Sequence, residues 1–189
     1  MGTDWENRWN DGDTPWDKGE PSPPLVNYVQ SHSLSGKVLV PGCGAGHDAA
    51  FLSQQGFEVT GVDFAPTALK QARNRYSELG IRWICDDLLD PQKEWGGPFD
   101  TWVEHTCLCA LEPKHWEAYI NTLSAQLKKG GIFMGVLFKN PDVEEGPPFR
   151  ITDQQISQLF SSFEFVEKFE PDSAYPGREG REEVWIYRR

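Results

Sequence analysis

Three glycines at alternate positions, Gly42, Gly44 and Gly46, interrupt the apolar stretch VLVPGCGAGHDAAFL, and a carboxylate, Asp63, ends the next apolar run. Glycines at a strand end weaken regular structure by about 0.5–1 kcal/mol each. What they supply is a backbone that a ligand can approach closely. A carboxylate at the following strand end can accept both hydroxyls of a ribose. Dinucleotide sites space their glycines as G-x-G-x-x-G and seat a pyrophosphate on a helix N-terminus. Here the spacing is G-x-G-x-G, and Asp48, Asp86 and Asp87 follow in the same helix start and the next strand end. Those acids repel phosphate and favour a cation. Against the bland alternative of a tight turn that holds nothing, the ordered set describes a site for a nucleoside carrying positive charge, as S-adenosylmethionine does.

The elements that must position these groups follow from the hydrophobic pattern. A near-continuous apolar run at 37–43 suits a strand covered on both faces, and 58–63, 81–87, 99–105 and 132–138 read as further strands. Between them lie helical patterns at 46–56 and 65–79, and an amphipathic helix over PKHWEAYINTLSAQLKKGG that ends on basic residues and a glycine pair. A short helix over LVNYV precedes the first strand; a helix over TDQQISQLFSS and two strands, FEFVEKFE and EEVWIYRR, follow the last run. Alternating strands and helices predict an α/β fold: a doubly wound, mostly parallel, seven-stranded Rossmann-like sheet. The last two strands have no helix between them and so predict an antiparallel C-terminal edge hairpin. In such sheets ligands sit beyond the carboxyl ends of the strands, where the strand order reverses. Residues 1–24, acidic and rich in Trp, form an N-terminal helical lid on a core of residues 25–189, and the 189 residues make one domain.

Composition narrows the partners. A net charge of −11, from 18 basic and 29 acidic residues, leaves no basic stripe for a phosphate backbone or an anionic membrane. Nucleic acid and membrane are both disfavoured, and no run approaches the roughly 18 apolar residues of a spanning helix. MGTDWENRWNDGDTPWD lacks the apolar run of a signal peptide. Cys43, Cys85, Cys107 and Cys109 form no CxxC pair, so buried free thiols in a reducing cytoplasm are expected, with no metal site. If their segment is extended, Cys107 and Cys109 point to opposite faces. The run DVEEG (142–146) suits a solvated loop, with the PPF after it as a pocket wall.

VLVPGCGAGHD, VTGVD, CDDLLD, FDTWVEH and LKKGGIFMGVLF resemble the successive motifs of class I S-adenosylmethionine-dependent methyltransferases. With WENRWNDGDTPWDKGEPSPPL, CALEP and EGPPFRI the chain resembles the thiopurine S-methyltransferase family, above all its thiol/halide branch. The resemblance implies S-adenosylmethionine as methyl donor and a small-molecule acceptor: a thiol, hydrosulfide, thiocyanate, halide or thiopurine. It implies that Trp5, Trp9 and Trp16 close over the donor, that Gly42 and Gly44 let the backbone approach it, and that Asp63 binds the ribose. Asp87 and the Leu88 backbone would bind the adenine edge. Glu104 and His105 would face the reacting methyl. A monomer is the family expectation. His105 stands where thiopurine-methylating relatives often carry arginine and the thiol/halide branch tyrosine; it could bind an anion, deprotonate a thiol or be structural. An NAD-dependent oxidoreductase and a binding protein that has lost catalysis are the competing readings.

Overall fold

The computed structural model describes residues 3–32, 34, 36–139 and 145–189. Of the acidic run 142–146, residues 142–144 lie outside the described residues. Seven strands form one sheet in the order β3-β2-β1-β4-β5-β7-β6. They are β1 (Lys37–Pro41), β2 (Glu58–Asp63), β3 (Arg82–Cys85), β4 (Phe99–His105), β5 (Leu127–Phe138), β6 (Glu164–Phe169) and β7 (Glu182–Arg188). The strands from β3 to β5 are parallel, and β7 runs antiparallel to both β5 and β6. The expected hairpin is therefore present at one edge, with β7 inserted between β5 and β6.

Chain order runs outward from β1 through β2 to β3, then returns to the other side of β1 with β4. The reversal lies between β1 and β4, whose carboxyl ends carry the glycine loop and His105. Among the described residues six α-helices cover the sheet: α1 (Trp5–Asp11), α2 (Pro23–Ser31), α3 (His47–Gln54), α4 (Pro66–Arg75), α5 (Trp116–Gln126) and α6 (Asp153–Leu159). Trp116, Tyr119 and Leu123 of α5 and Ile156 of α6 join Leu39, Trp102, Phe133 and Trp185 in one core layer. Leu25 and Tyr28 of α2 and Ala49 and Leu52 of α3 join Val38, Val40, Val103 and Val136 in the other. The central strands are thus buried on both faces, as the apolar run at 37–43 required, while the edge strands β3 and β6 stay partly exposed.

Local chemistry sets the element ends. Proline stands in the first turn of α2 and of α4, where its missing N–H costs nothing. Thr152 and Gln155 form a reciprocal capping box at the start of α6. Gly46 enters α3 at φ +85°, and a Cβ there would lie 2.5 Å from the Trp83 ring, so only glycine fits between loop and sheet. The helix expected over residues 113–131 is shorter than the pattern implied. It ends at Gln126, and Leu127–Gly131 are already strand, with Leu127 opposite Phe99 across a register shift.

Candidate active site

A cleft of about 500 Å³ lies over the carboxyl ends of β1, β2 and β4. Its floor begins at the glycine loop, where Gly42 (φ 55) and Gly44 (φ 52) both line the cleft. Residues bearing side chains rarely adopt such positive values. The Gly44 N–H donates to Asp63 Oδ2 at 2.7 Å and the Ala65 N–H to Asp63 Oδ1 at 2.8 Å. Asp63 is buried at the end of β2. Each oxygen of its carboxylate keeps lone-pair capacity for a further donor. Burial pushes the Asp63 carboxyl up, opposed by the N–H groups of Ala65, Gly44 and Phe64. Beside it Phe64 is exposed and Leu88 is buried, and both face the cleft.

The N-terminal segment forms the roof. Asp4 caps α1 by accepting from the Asn7 N–H, and Thr67 at the start of α4 donates to Glu6 from its N–H (3.0 Å) and its hydroxyl (2.6 Å). This hold places Trp5, Trp9 and Trp16 over the cleft, with Trp16 edge-on to Trp5 at 5.1 Å and to Trp9 at 6.0 Å. The Arg8 guanidinium stands 4.3 Å from the Trp16 ring centroid, so one face of Trp16 already has a cation. Further along, His47 Nε2 lies 3.0 Å from Asp17 and the Ser22 N–H donates to Asp48 at 2.7 Å.

The far end of the cleft is built around His105. Its Nδ1 is 3.4 Å from Asp48 Oδ2, and its Nε2 is 3.5 Å from Glu182 Oε1 and 3.2 Å from Arg178 Nη1. Arg178 also pairs with Glu182 at 2.9 Å, and the Tyr175 ring packs 5.6 Å from the imidazole. Burial works against the imidazolium, but the Asp48 and Glu182 carboxylates outweigh it and hold His105 up at about 9. Burial likewise works to raise the Glu182 carboxyl, but His105 and Arg178 hold it below its usual range. Thr106, next in the chain and also on the cleft wall, has a positive φ, the one such value at a non-glycine among the described residues. Backbone of this kind costs on the order of 1–3 kcal/mol and gathers at functional sites.

Trp5, Trp9, Trp16, Gly42, Gly44, Asp63, Leu88 and His105 are brought together on one cleft; Glu104 and Asp87 are not on its wall. Glu104 cannot face the same way as its neighbour His105, because successive strand residues point to opposite sides of the sheet. It is fully buried beneath the cleft, with Oε2 accepting from the Leu108 N–H (2.8 Å) and the Tyr119 hydroxyl (2.9 Å) and Oε1 without a partner among the described residues. Burial raises its carboxyl to about 7. Asp87 is exposed and accepts from the Leu89 N–H at 3.0 Å, while Asp86 takes the Trp95 indole N–H and the Lys93 ammonium.

The cysteines are all free, but Cys85 is exposed and Cys43 only half-buried, not buried as expected. Cys107 and Cys109 are not extended: they lie at the turn after β4, both buried and both on the cleft wall with Cys43. Burial pushes all three thiols up, which keeps them protonated. Among the described residues no His/Cys/Asp/Glu group could hold a metal ion. Sequence reasoning did not single out Phe64, Tyr175 or Arg178 for the site, nor Asp48 as a partner of His105, nor Glu182 behind them. Only the i,i+4 spacing of Arg178 and Glu182 offered a signal.

The family model described as Thiopurine S-methyltransferase (TPMT) matches residues 2–187. A probable thiol methyltransferase 2 of Arabidopsis thaliana is 28% identical over 190 residues, covering 98% of this chain and 84% of that one. Thiocyanate methyltransferase 1 of Brassica oleracea is 32% identical over 150 residues, covering 78% of this chain and 66% of that one. Among solved structures, the N-methyltransferase NodS of Bradyrhizobium japonicum WM9, in complex with S-adenosyl-l-homocysteine, superposes with a TM-score of 0.70 at 20% identity, covering 87% of this chain and 83% of that one. At that identity the likeness establishes the fold.

Proposed function

Because the chain belongs to the thiopurine S-methyltransferase family, we propose that this S-adenosylmethionine-dependent methyltransferase acts on a small soft nucleophile taken up as its anion, a thiolate, hydrosulfide, thiocyanate or halide. The observation that carries the reading is one continuous cleft with the Asp63 carboxylate at one end and the His105–Arg178 pair at the other.

The residues present fit the donor. Asp63 retains acceptor capacity for two ribose hydroxyls, the glycine backbone is bare, and the exposed Phe64 ring with Leu88 offers faces for a base. Trp5, Trp9 and Trp16 exclude water from above. When bound, S-adenosylmethionine supplies a methyl group on a positively charged sulfur. The protein's task is then to hold the nucleophile in line at about 3–3.5 Å in a dry pocket. Phe138, Leu111, Pro147 and Pro148 give that pocket its apolar wall. His105 and Arg178 present two cations that share the buried Glu182 carboxylate, with the part-buried Asp48 on the other side of His105, so an anion is received without a large excess of positive charge. Held charged between the carboxylates of Asp48 and Glu182, His105 has no free lone pair to act as a base. A soft anion needs none, and a thiol with pKa about 8.5 is already slightly ionised at neutral pH.

In this proposal residues 1–24 are a lid on a single domain. The protein works as a monomer on a small molecule, in the reducing cytoplasm that its four free cysteines suit. No helix among the described residues is long and apolar enough to cross a membrane.

The test is calorimetric titration with S-adenosylhomocysteine and, in parallel, NAD, on wild type and on Asp63→Asn, followed by a screen of thiols, thiocyanate and iodide for methylated product. S-adenosylhomocysteine alone should bind, and the substitution should weaken it about 10- to 100-fold, the value of hydrogen bonds to a charged acceptor. Binding of NAD alone, or no methylated product from any acceptor, would sink the proposal.

A further inference from the structure

We propose that Asp48 is a positioning residue that ties the docking of the N-terminal roof to the setting of His105. The inference rests on the methyltransferase reading and concerns how its two ends communicate.

Asp48 stands in the first turn of α3, directly after the glycine loop, so its backbone is fixed from below. Its carboxylate is divided between two elements. Oδ1 accepts the Ser22 N–H at 2.7 Å; Oδ2 lies 3.4 Å from His105 Nδ1. Ser22 is fully buried and ends the stretch whose Pro15, Trp16, Asp17 and Glu20 cross the cleft. A second link runs in parallel: the Tyr175 hydroxyl donates to the Glu20 carbonyl at 2.6 Å, and the Tyr175 ring packs on His105.

The groups facing His105 are Asp48 from α3, Glu182 from β7, and Arg178 and Tyr175 from the loop before β7. Asp48 and Tyr175 are also bonded to the roof. Lifting the roof takes from Asp48 its best donor and from Tyr175 its anchor, and frees both to leave the geometry that holds the imidazole. The acceptor end is therefore complete only when the roof is down over the donor. Donor binds first, acceptor second.

Thiocyanate is the probe, titrated into wild-type protein alone and into its S-adenosylhomocysteine complex, which cannot turn over. The complex should bind thiocyanate at least about 10-fold more tightly, within the usual range of coupling between sites. Asp48→Asn should abolish that preference and raise the thiocyanate KM about 10-fold. In wild type, His105 holds its proton to about 9. With the variant, thiocyanate turnover should begin to fall at a lower pH, nearer the ordinary histidine range. A side chain that merely supported the fold would not move that profile. Equal thiocyanate affinities for free and complexed wild type overturn the inference, and decide it even if Asp48→Asn fails to fold. A protein that does not bind S-adenosylhomocysteine at all overturns the underlying reading, and this inference with it.

Discussion

At the residue scale, the two neighbours Glu104 and His105 show how burial and partners split two ionisable groups. His105 has two carboxylates and stays charged; Glu104 has two donors on one oxygen, none among the described residues on the other, and is raised to about 7. A carboxyl whose folded pKa exceeds its ordinary 4.5 costs nothing while protonated in both states. It destabilises the fold progressively as pH rises from 4.5 to 7. The full value is about 3 kcal/mol. Glu104→Gln keeps an acceptor for Leu108 and Tyr119 and removes the titration. The variant's melting temperature relative to wild type should therefore rise between about pH 5 and about pH 8, followed by calorimetry at each pH; a constant difference would mean that the fold does not raise the Glu104 carboxyl above its unfolded value. His105 loses its own stabilising charge above about 9, having held it fully below 6.5, but is common to both proteins and cancels in the difference. Much of this was open to sequence reasoning. Period-two alternation already forbids Glu104 and His105 from facing one methyl group. The bond from Asp48 to Ser22, by contrast, joins residues far apart in the chain and has no local sign.

At the element scale, strands that end on a polar side chain just before a turn were legible because each is a short segment with a hard stop. β2 and β4 begin and end where the pattern placed them. Where neighbours decide, the sequence was mute. Nothing local distinguishes Leu127–Gly131 as strand rather than helix end; pairing with Phe99 does so. The loop at 172–181 carries polar and glycine residues without period, yet it supplies Tyr175 and Arg178 because β7 lies beside β5 and carries the loop over the switch point. The roof depends on a contact of the same kind, Thr67 of α4 gripping Glu6 of α1. Thr67→Val keeps the backbone bond and deletes the hydroxyl. S-adenosylhomocysteine affinity should fall several-fold while the melting temperature stays within about 2 °C, since α1 is peripheral to both main core layers. An unchanged affinity would show that α1 does not serve the donor.

At the scale of the whole molecule, a chain of net charge −11 that receives anions must draw them against its own field. Fields between exposed charges are screened over about 10 Å at about 0.1 M salt. The kcat/KM for thiocyanate should accordingly rise a few-fold between about 10 and about 150 mM potassium glutamate, while the affinity for adenosine, the neutral part of the donor, stays level. A falling value would place a net positive funnel at the cleft mouth instead. The position of β7 has a consequence of another kind. Lying between β5 and β6, it is the only strand that β6 pairs with among the described residues, although β6 precedes it in the chain. During synthesis β6 therefore emerges with no partner, its backbone hydrogen-bonding groups unpaired until β7 follows. Glu182 arrives with that same strand, so the nascent protein can assemble the donor's half of its cleft well before the acceptor's.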